Sequence, residues 1–467
     1  MTNAFTNAVI NDQNEKAART TNGMKARETT ANKCVDLFHN IGASRGKNII
    51  PAFVAAFVED KELATRIALW ARDVRGGAGE RQVFKDILKY IDENDPELLT
   101  RIAHKVPELG RWDDLFAITR NRNIAFELIK DALEDNNGLA AKWMPRKGED
   151  AVALRNFLGY SPKRYRKTLV GLTNVVETAM CSKDWSAIKY SHVPSVAAAR
   201  YQKAFTKNDP TRYAEYRAGL IKGTEKINAS TLYPYDVLKS IRYGGDAQVA
   251  LAQWDALPNY VGDANAIAVV DVSGSMTCPA GGYGSKSNVS CLDVALSLGL
   301  YIADKNTGAF KDTFLTFSDN SKLMHLKGDL LAKLHQMERS QWEMSTNLHA
   351  AFEEILRVAT QNNVPQTDMP KTILILSDMQ FNYCVRHDDS ALQMIRRKYE
   401  NAGYNVPQVV FWNLNASYGN QPARYDDSGV ALVSGFSPAL MTSIIGGADF
   451  TPYGIMMETV SKEKYNF

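Results

Sequence analysis

No stretch of the 467-residue chain approaches the roughly 20 consecutive apolar residues that a membrane helix needs, so no membrane partner is expected. The opening Met-Thr-Asn-Ala-Phe-Thr-Asn has neither a basic segment nor an apolar core, and a secretory leader is not expected either. A cytoplasmic protein, of cellular or viral origin, is the expectation. Cysteine is scarce and scattered: Cys34, Cys181, Cys278, Cys291 and Cys384 include no C-x-x-C pair, which argues against a disulfide framework or a zinc knuckle. Reduced thiols are the simplest reading, with Cys278 and Cys291, flanking one Gly-rich loop, the pair that oxidation would join.

Strong net charge is missing too, at +3 overall, but the balance is uneven along the chain. From Ala266 to Phe467 there are 16 Lys plus Arg against 20 Asp plus Glu, a balance of −4 that leaves +7 for residues 1–265. From Leu139 to Arg242, 19 basic residues face 8 acidic ones, a surplus of +11. A basic middle of this kind suits a polyanion. The hydrophobic fraction of 45% and the charged fraction of 23% are ordinary for globular proteins, and the length calls for two domains.

Residues 1–25 read as a polar arm. Residues 26–264 are dominated by helical spacing, ending in a connecting segment at 244–264. In "ERQVFKDILKYI" the apolar residues Val83, Phe84, Ile87, Leu88 and Ile91 form one helical face. Comparable helices are expected at Pro51–Ala71, Pro96–Val106, Trp112–Thr119, Arg164–Met180, Val193–Phe205 and Thr211–Ile221, a pattern of stacked helix pairs. Arg72, Asp73, Arg75, Glu80 and Arg81 are expected to form an internal ion-pair and capping network beside a glycine turn.

Residues 265–467 change character. Apolar runs at Ala266–Val270, Thr313–Phe317, Thr372–Leu376, Val409–Leu414 and Val430–Val433 alternate with helical patterns, which predicts a doubly wound α/β domain with a mostly parallel sheet. Ligands of such sheets bind beyond the carboxyl ends of the strands. There the sequence places Asp271, Ser273 and Ser275 in "DVSGSM", Thr346 in "EMSTNLHAAF", and Asp378 in "ILILSDMQF". Two carboxylates and three hydroxyls make an all-oxygen donor set of low charge. It suits a hard divalent cation, Mg²⁺ first and Mn²⁺ or Ca²⁺ as alternatives, with coordination positions left for water or an incoming carboxylate.

These residues resemble the metal-ion-dependent adhesion site (MIDAS) of von Willebrand factor A domains, over Ala266 to about Gly447. The helical half is similar to TROVE-domain proteins, the Ro autoantigen family with its phage, plant and fungal branch, through "WARDVRGGAGERQVF", "ELGRWDDL", "KWMPRK", "YRKTL" and "WSAIKYSHVPS". The paired resemblance spans about Thr30 to Phe467. It implies HEAT-like repeats forming a ring closed by a Rossmann-like A domain. It further implies a ribonucleoprotein that binds structured non-coding RNA outside the ring and single-stranded ends in its basic hole.

On this resemblance His192 matches a histidine that contacts RNA. The densest basic residues lie earlier, at Lys142, Arg146, Lys147, Lys163, Arg164, Arg166 and Lys167. The leading expectation is therefore a monomeric, non-enzymatic RNA-binding scaffold with a magnesium site, at which a protein partner's Asp or Glu completes the metal shell. The alternative is a metal-dependent protein adaptor or viral structural component without RNA. A metal-dependent hydrolase, with His349 as the nearby base, ranks third.

Overall fold

The computed structural model describes residues 17–229, 231–242, 245–280, 289–340, 347–382, 390–417 and 419–467. The chain opens with a short hairpin, β1 (Ala17–Arg19) and β2 (Lys25–Arg27), followed by α1 (Lys33–Ile41), α2 (Ile50–Glu59) and α3 (Lys61–Arg72). The helices α4 (Arg81–Asn94), α5 (Pro96–Ile102), α6 (Lys105–Leu109), α7 (Arg122–Glu134), α8 (Gly138–Trp143), α9 (Glu149–Phe157), α10 (Pro162–Leu172) and α11 (Val176–Cys181) come next. They are followed by α12 (Ser195–Asn208), α13 (Pro210–Lys222), α14 (Pro234–Arg242) and α15 (Ala247–Asp255). No helix among the described residues is long and apolar enough to cross a membrane.

The final part holds β3 (Ala266–Asp271), α16 (Cys291–Lys305), β4 (Thr313–Phe317), β5 (Lys322–His325), α17 (Leu330–Glu338), α18 (Leu348–Gln361), β6 (Thr372–Ser377), α19 (Ala391–Asn401), β7 (Gln408–Asn413), β8 (Val430–Ser434), α20 (Met441–Gly446) and α21 (Pro452–Val460). The order β5-β4-β3-β6-β7-β8 is parallel except for β5, which runs antiparallel on the edge beside β4. Every residue of β3 is buried, as expected for a central strand covered on both faces. The chain leaves β3 toward β4 on one side and returns to β6 on the other. The carboxyl ends of β3 and β6 therefore flank the switch point at which doubly wound sheets bind ligands.

Several expected helices are shorter than their apolar pattern. Pro51–Ala71 breaks at Asp60, whose extended backbone ends α2 and whose carboxylate accepts from the Leu63 amide to start α3. Arg164–Met180 breaks after Leu172, and Trp112–Ala117 is a 3₁₀ turn. The polar arm contains a hairpin from Ala17, and residues 1–16 lie outside the described residues.

The compact units are also drawn differently from the boundary expected at 264. One comprises the chain up to Ala71, residues 76–78 and 259–466; the other comprises 72–75, 79–258 and Phe467. Residues 26–71, assigned by periodicity to the helical repeats, thus pack with the sheet.

The reason lies in α1. Its Phe38 carbonyl accepts from Ser434 Oγ at 2.6 Å, its His39 carbonyl accepts from Asn413 Nδ2 at 3.0 Å, and the Gly42 amide donates to Ser434 Oγ at 3.0 Å. A Cβ on Gly42 would fall 2.4 Å from the Ser434 carbonyl oxygen, so only glycine allows this close approach to β8.

His39 is fully buried here. Its Nδ1–H donates to Gln421 Oε1 at 2.6 Å, while Nε2 has no partner among the described residues. Burial pushes the imidazole down to about 4. Because the unfolded chain takes up this proton near the ordinary value and the fold does not, stability is full above that value and falls as pH drops toward 4. The size of the displacement corresponds to about 3 kcal/mol. Urea unfolding of wild type and His39→Gln at pH 7 and at pH 4.5 should show the variant losing less stability on acidification.

Candidate functional site

Asp271 is the last residue of β3, and its side chain is wholly buried. Its Oδ1 accepts from the Ser273 amide at 2.8 Å, folding the ligand loop back onto the strand end, and its Oδ2 accepts from Ser377 Oγ at 2.5 Å. Ser273 and Ser275 bring their hydroxyl oxygens within 3.0 Å of each other. Asp378 follows directly after β6 and is 2% exposed, with its Oδ1 accepting from the Gln380 amide at 3.2 Å and its carboxylate hydrogen-bonded by Ser275.

Asp271, Ser273, Ser275 and Asp378 therefore meet at one strand-end site. Thr346 lies outside the described residues; the neighbouring Asn347 donates from Nδ2 to Asp319 Oδ1 at 2.9 Å, just past β4.

Among the described residues, burial and mutual proximity oppose ionisation of the site's carboxyls. Burial and then the Asp378 carboxylate push the Asp271 carboxyl up to about 7, and burial likewise raises Asp378. Two buried carboxylates side by side cost free energy that a cation between them would repay. The donors are hard oxygens, as Mg²⁺ prefers, so the residues fit such an ion. Among the described residues Lys47 is a nearby positive charge that acts to lower the Asp378 carboxyl. Its ammonium is anchored to Asn415 Oδ1 at 2.6 Å and to the Ala416 carbonyl.

Four neighbours of the site lie outside the expected donor set. Ser377 orients Asp271 and also accepts the Met379 amide at 3.1 Å. That second bond holds buried Met379 at φ +64, a left-handed conformation that costs a side-chain-bearing residue about 1–2 kcal/mol. Ser318, at the carboxyl end of β4, has a buried hydroxyl with no hydrogen-bond partner among the described residues, and its neighbour Phe317 is in register with Asp271. Lys47 is the third.

The fourth is the amino-terminal hairpin. Thr20 Oγ1 donates to the Phe381 carbonyl at 2.5 Å, the Thr21 amide to Gln380 Oε1 at 2.7 Å, and Asn22 Nδ2 to the Gln380 carbonyl at 2.7 Å. These bonds clamp the loop that carries Asp378.

His349 lies on α18 with its Nδ1 3.5 Å from Glu353 Oε1, which also takes Lys398 Nζ at 2.9 Å.

The helical unit joins two basic segments that are separate in sequence. Helix α10 exposes Lys163, Arg164, Arg166 and Lys167 around buried Tyr165, whose hydroxyl donates to the Pro145 carbonyl at 3.0 Å. That bond, with the packing of α8 on α10, brings exposed Arg146 and Lys147 and half-buried Lys142 to the same region. Arg146 Nη2 lies 3.3 Å from Thr173 Oγ1, and the Arg164 guanidinium stacks 4.0 Å over Tyr160. Lys163, Arg164, Arg166 and Lys167 form no ion pair among the described residues. His192 is exposed on a separate 3₁₀ turn, Tyr190–His192, beside the aromatic cluster of Tyr190, Phe205, Tyr213 and Tyr216.

Residues 265–465 match a domain of unknown function, DUF7788, and residues 121–267 match another, DUF2828. The solved structure of the Deinococcus radiodurans Ro (RSR) protein is similar at 14% identity, with 88% of this chain and 90% of that one covered and a TM-score of 0.38, too distant to transfer residue roles. The uncharacterized protein L728 of Acanthamoeba polyphaga mimivirus is 30% identical over 506 residues, covering 94% of this chain and 86% of that protein. The chain therefore belongs to the same family as mimivirus protein L728.

Proposed function

We propose that this protein is a non-enzymatic RNA-binding scaffold with a divalent-cation site in its α/β unit. The observation that carries the reading is the shared basic surface of α8 and α10, where Lys163, Arg164, Arg166 and Lys167 project without acidic partners among the described residues. Such a surface binds phosphates by charge neutralisation and counterion release, with little reading of bases. The sequence resemblance to TROVE proteins supports RNA as the polyanion. Asp271, Ser273, Ser275, Thr346 and Asp378 would hold Mg²⁺, which supplies a Lewis-acidic anchor for a carboxylate from a protein partner.

Binding of a labelled single-stranded RNA, followed by fluorescence anisotropy across a salt series, tests the scaffold reading. Replacing Lys163, Arg164, Arg166 and Lys167 together by Ala should weaken binding at low salt and make the log K against log salt slope shallower by about 3, at roughly 0.7 per phosphate contact. Absence of binding at low salt, or binding indifferent to salt, overturns it.

The adaptor reading is favoured by one feature, the buried Asp271 and Asp378 carboxylates and serine hydroxyls gathered at one strand-end site. It predicts capture of a partner that chelator or Asp378→Ala releases while the α10 substitutions leave it bound.

A further inference from the structure

Cys278 and Cys291 are brought together by the backbone. Pro279 pairs with Ser290 in an isolated antiparallel bridge, the Ala280 amide donates to the Val289 carbonyl at 2.7 Å, and the Cys291 amide donates to the Cys278 carbonyl at 3.0 Å. In that register the two cysteines lie directly opposite each other. Opposed antiparallel residues have Cα separations of roughly 4.5–5.5 Å, inside the range that disulfides span. Their sulfurs are 3.6 Å apart, so a rotation of the side chains is enough to join them.

The two thiols are not equivalent. Asn415 Nδ2 points to Cys278 Sγ at 3.5 Å, and Asn415 Oδ1 holds the Lys47 ammonium whose charge favours the Cys278 thiolate. Cys291, the first residue of α16, is fully buried and lies 3.5 Å from the Leu414 carbonyl, an acceptor for its S–H. Cys278 is 7% exposed and Cys291 is 0% exposed, so an oxidant reaches Cys278 first. This difference in access, with the Lys47 ammonium held beside Cys278 by Asn415, assigns Cys278 as the nucleophile and Cys291 as the resolving thiol. Buried Cys34 is pushed up to about 12 by burial and by Glu59, Asp60 and Asp36, as befits an inert thiol.

We propose that Cys278 and Cys291 are a redox modification site, a dithiol that a hydroperoxide converts to a reversible disulfide. The Cys278 thiolate attacks one peroxide oxygen, the O–O bond breaks, and hydroxide leaves, giving a sulfenic acid. The Cys291 sulfur then attacks the Cys278 sulfur, the S–O bond breaks, and the Cys291 proton departs with the hydroxyl as water. Two thiols are oxidised and one peroxide is reduced. The bond closes a ring over residues 279–290 and ties the loop bearing Ser273 and Ser275 covalently to the start of α16.

The test uses the full-length protein in chelator, which separates it from the metal reading. After a small molar excess of hydrogen peroxide, denatured thiol titration should fall from five to three, since two of the five cysteines are consumed. Intact mass should drop by two hydrogens, non-reducing peptide mapping should join Cys278 to Cys291, and dithiothreitol should restore all thiols. Cys291→Ser should stop at the Cys278 sulfenic acid, detectable with a dimedone probe. The mapping of wild type decides the matter even if a variant misfolds. An unchanged thiol count, or crosslinks involving Cys34, Cys181 or Cys384 in place of this pair, overturns the proposal.

Discussion

Asp114→Ala is expected to destabilise the helical unit by about 3–5 kcal/mol, the usual cost of removing one partner from a buried ion pair. Asp114 is 0% exposed, and its Oδ2 accepts from Arg72 Nε at 2.8 Å and Nη2 at 2.6 Å. Its Oδ1 accepts from Arg81 Nε at 2.8 Å, and Oδ2 also takes the Arg111 amide at 3.1 Å. Arg72 is itself 1% exposed and lies against Gly110, where an added Cβ would fall 2.6 Å from Nε. Without Asp114 the guanidinium is left charged and buried, because arginine cannot lose its proton and the walls of its slot cannot admit water freely. Arg72→Met should cost less, since Asp114 keeps Arg81 and the Arg111 amide. Chemical denaturation followed by circular dichroism should rank wild type above Arg72→Met and Arg72→Met above Asp114→Ala; equal losses would show that the charge itself is not what matters.

That network was partly readable in advance. A cluster of Arg72, Arg81 and acids around a glycine turn suggests an internal ion-pair system, but its centre, Asp114, lies 42 residues from Arg72 and carries no local signal. The same distinction runs through the α/β unit. The central strands announce themselves because burial on both faces demands unbroken apolar runs, and "AIAVV" and "TILIL" are such runs. Edge strand β5, Lys-Leu-Met-His, is exposed or half-buried throughout and has no such demand to reveal it. Helix α1 reads as one more amphipathic helix, and periodicity cannot say which partner its apolar face will meet. The interstrand aspartates and serines were legible because strand ends in a parallel sheet are brought together by topology. Ser377 stands next to Asp378 at the end of β6 but bonds to Asp271, while Lys47 and the Thr20 hairpin reach the site through space, from positions that share no spacing with it.

Asp271→Asn is expected to raise the melting temperature in chelator and to abolish stabilisation by Mg²⁺, two shifts of opposite sign. In the metal-free protein burial and the Asp378 carboxylate both oppose ionisation of Asp271, so a neutral amide in its place relieves that cost. The amide is nearly isosteric; its oxygen can still accept from the Ser273 amide, and its NH₂ can donate to Ser377 Oγ in place of the bond now running the other way. With Mg²⁺ at a hundredfold above its dissociation constant, wild type should gain about 2.7 kcal/mol, whereas the variant, one anionic ligand short, should gain little. Ser377→Ala separates orientation from ligation: it removes the donor that fixes Asp271 Oδ2 but no proposed ligand, so it should weaken Mg²⁺ stabilisation without abolishing it. Calorimetric melts in chelator and in Mg²⁺ read all three proteins. A wild type that melts at the same temperature in both would show that the two carboxylates are held apart from any divalent cation, and Lys47 would then be their counter-charge.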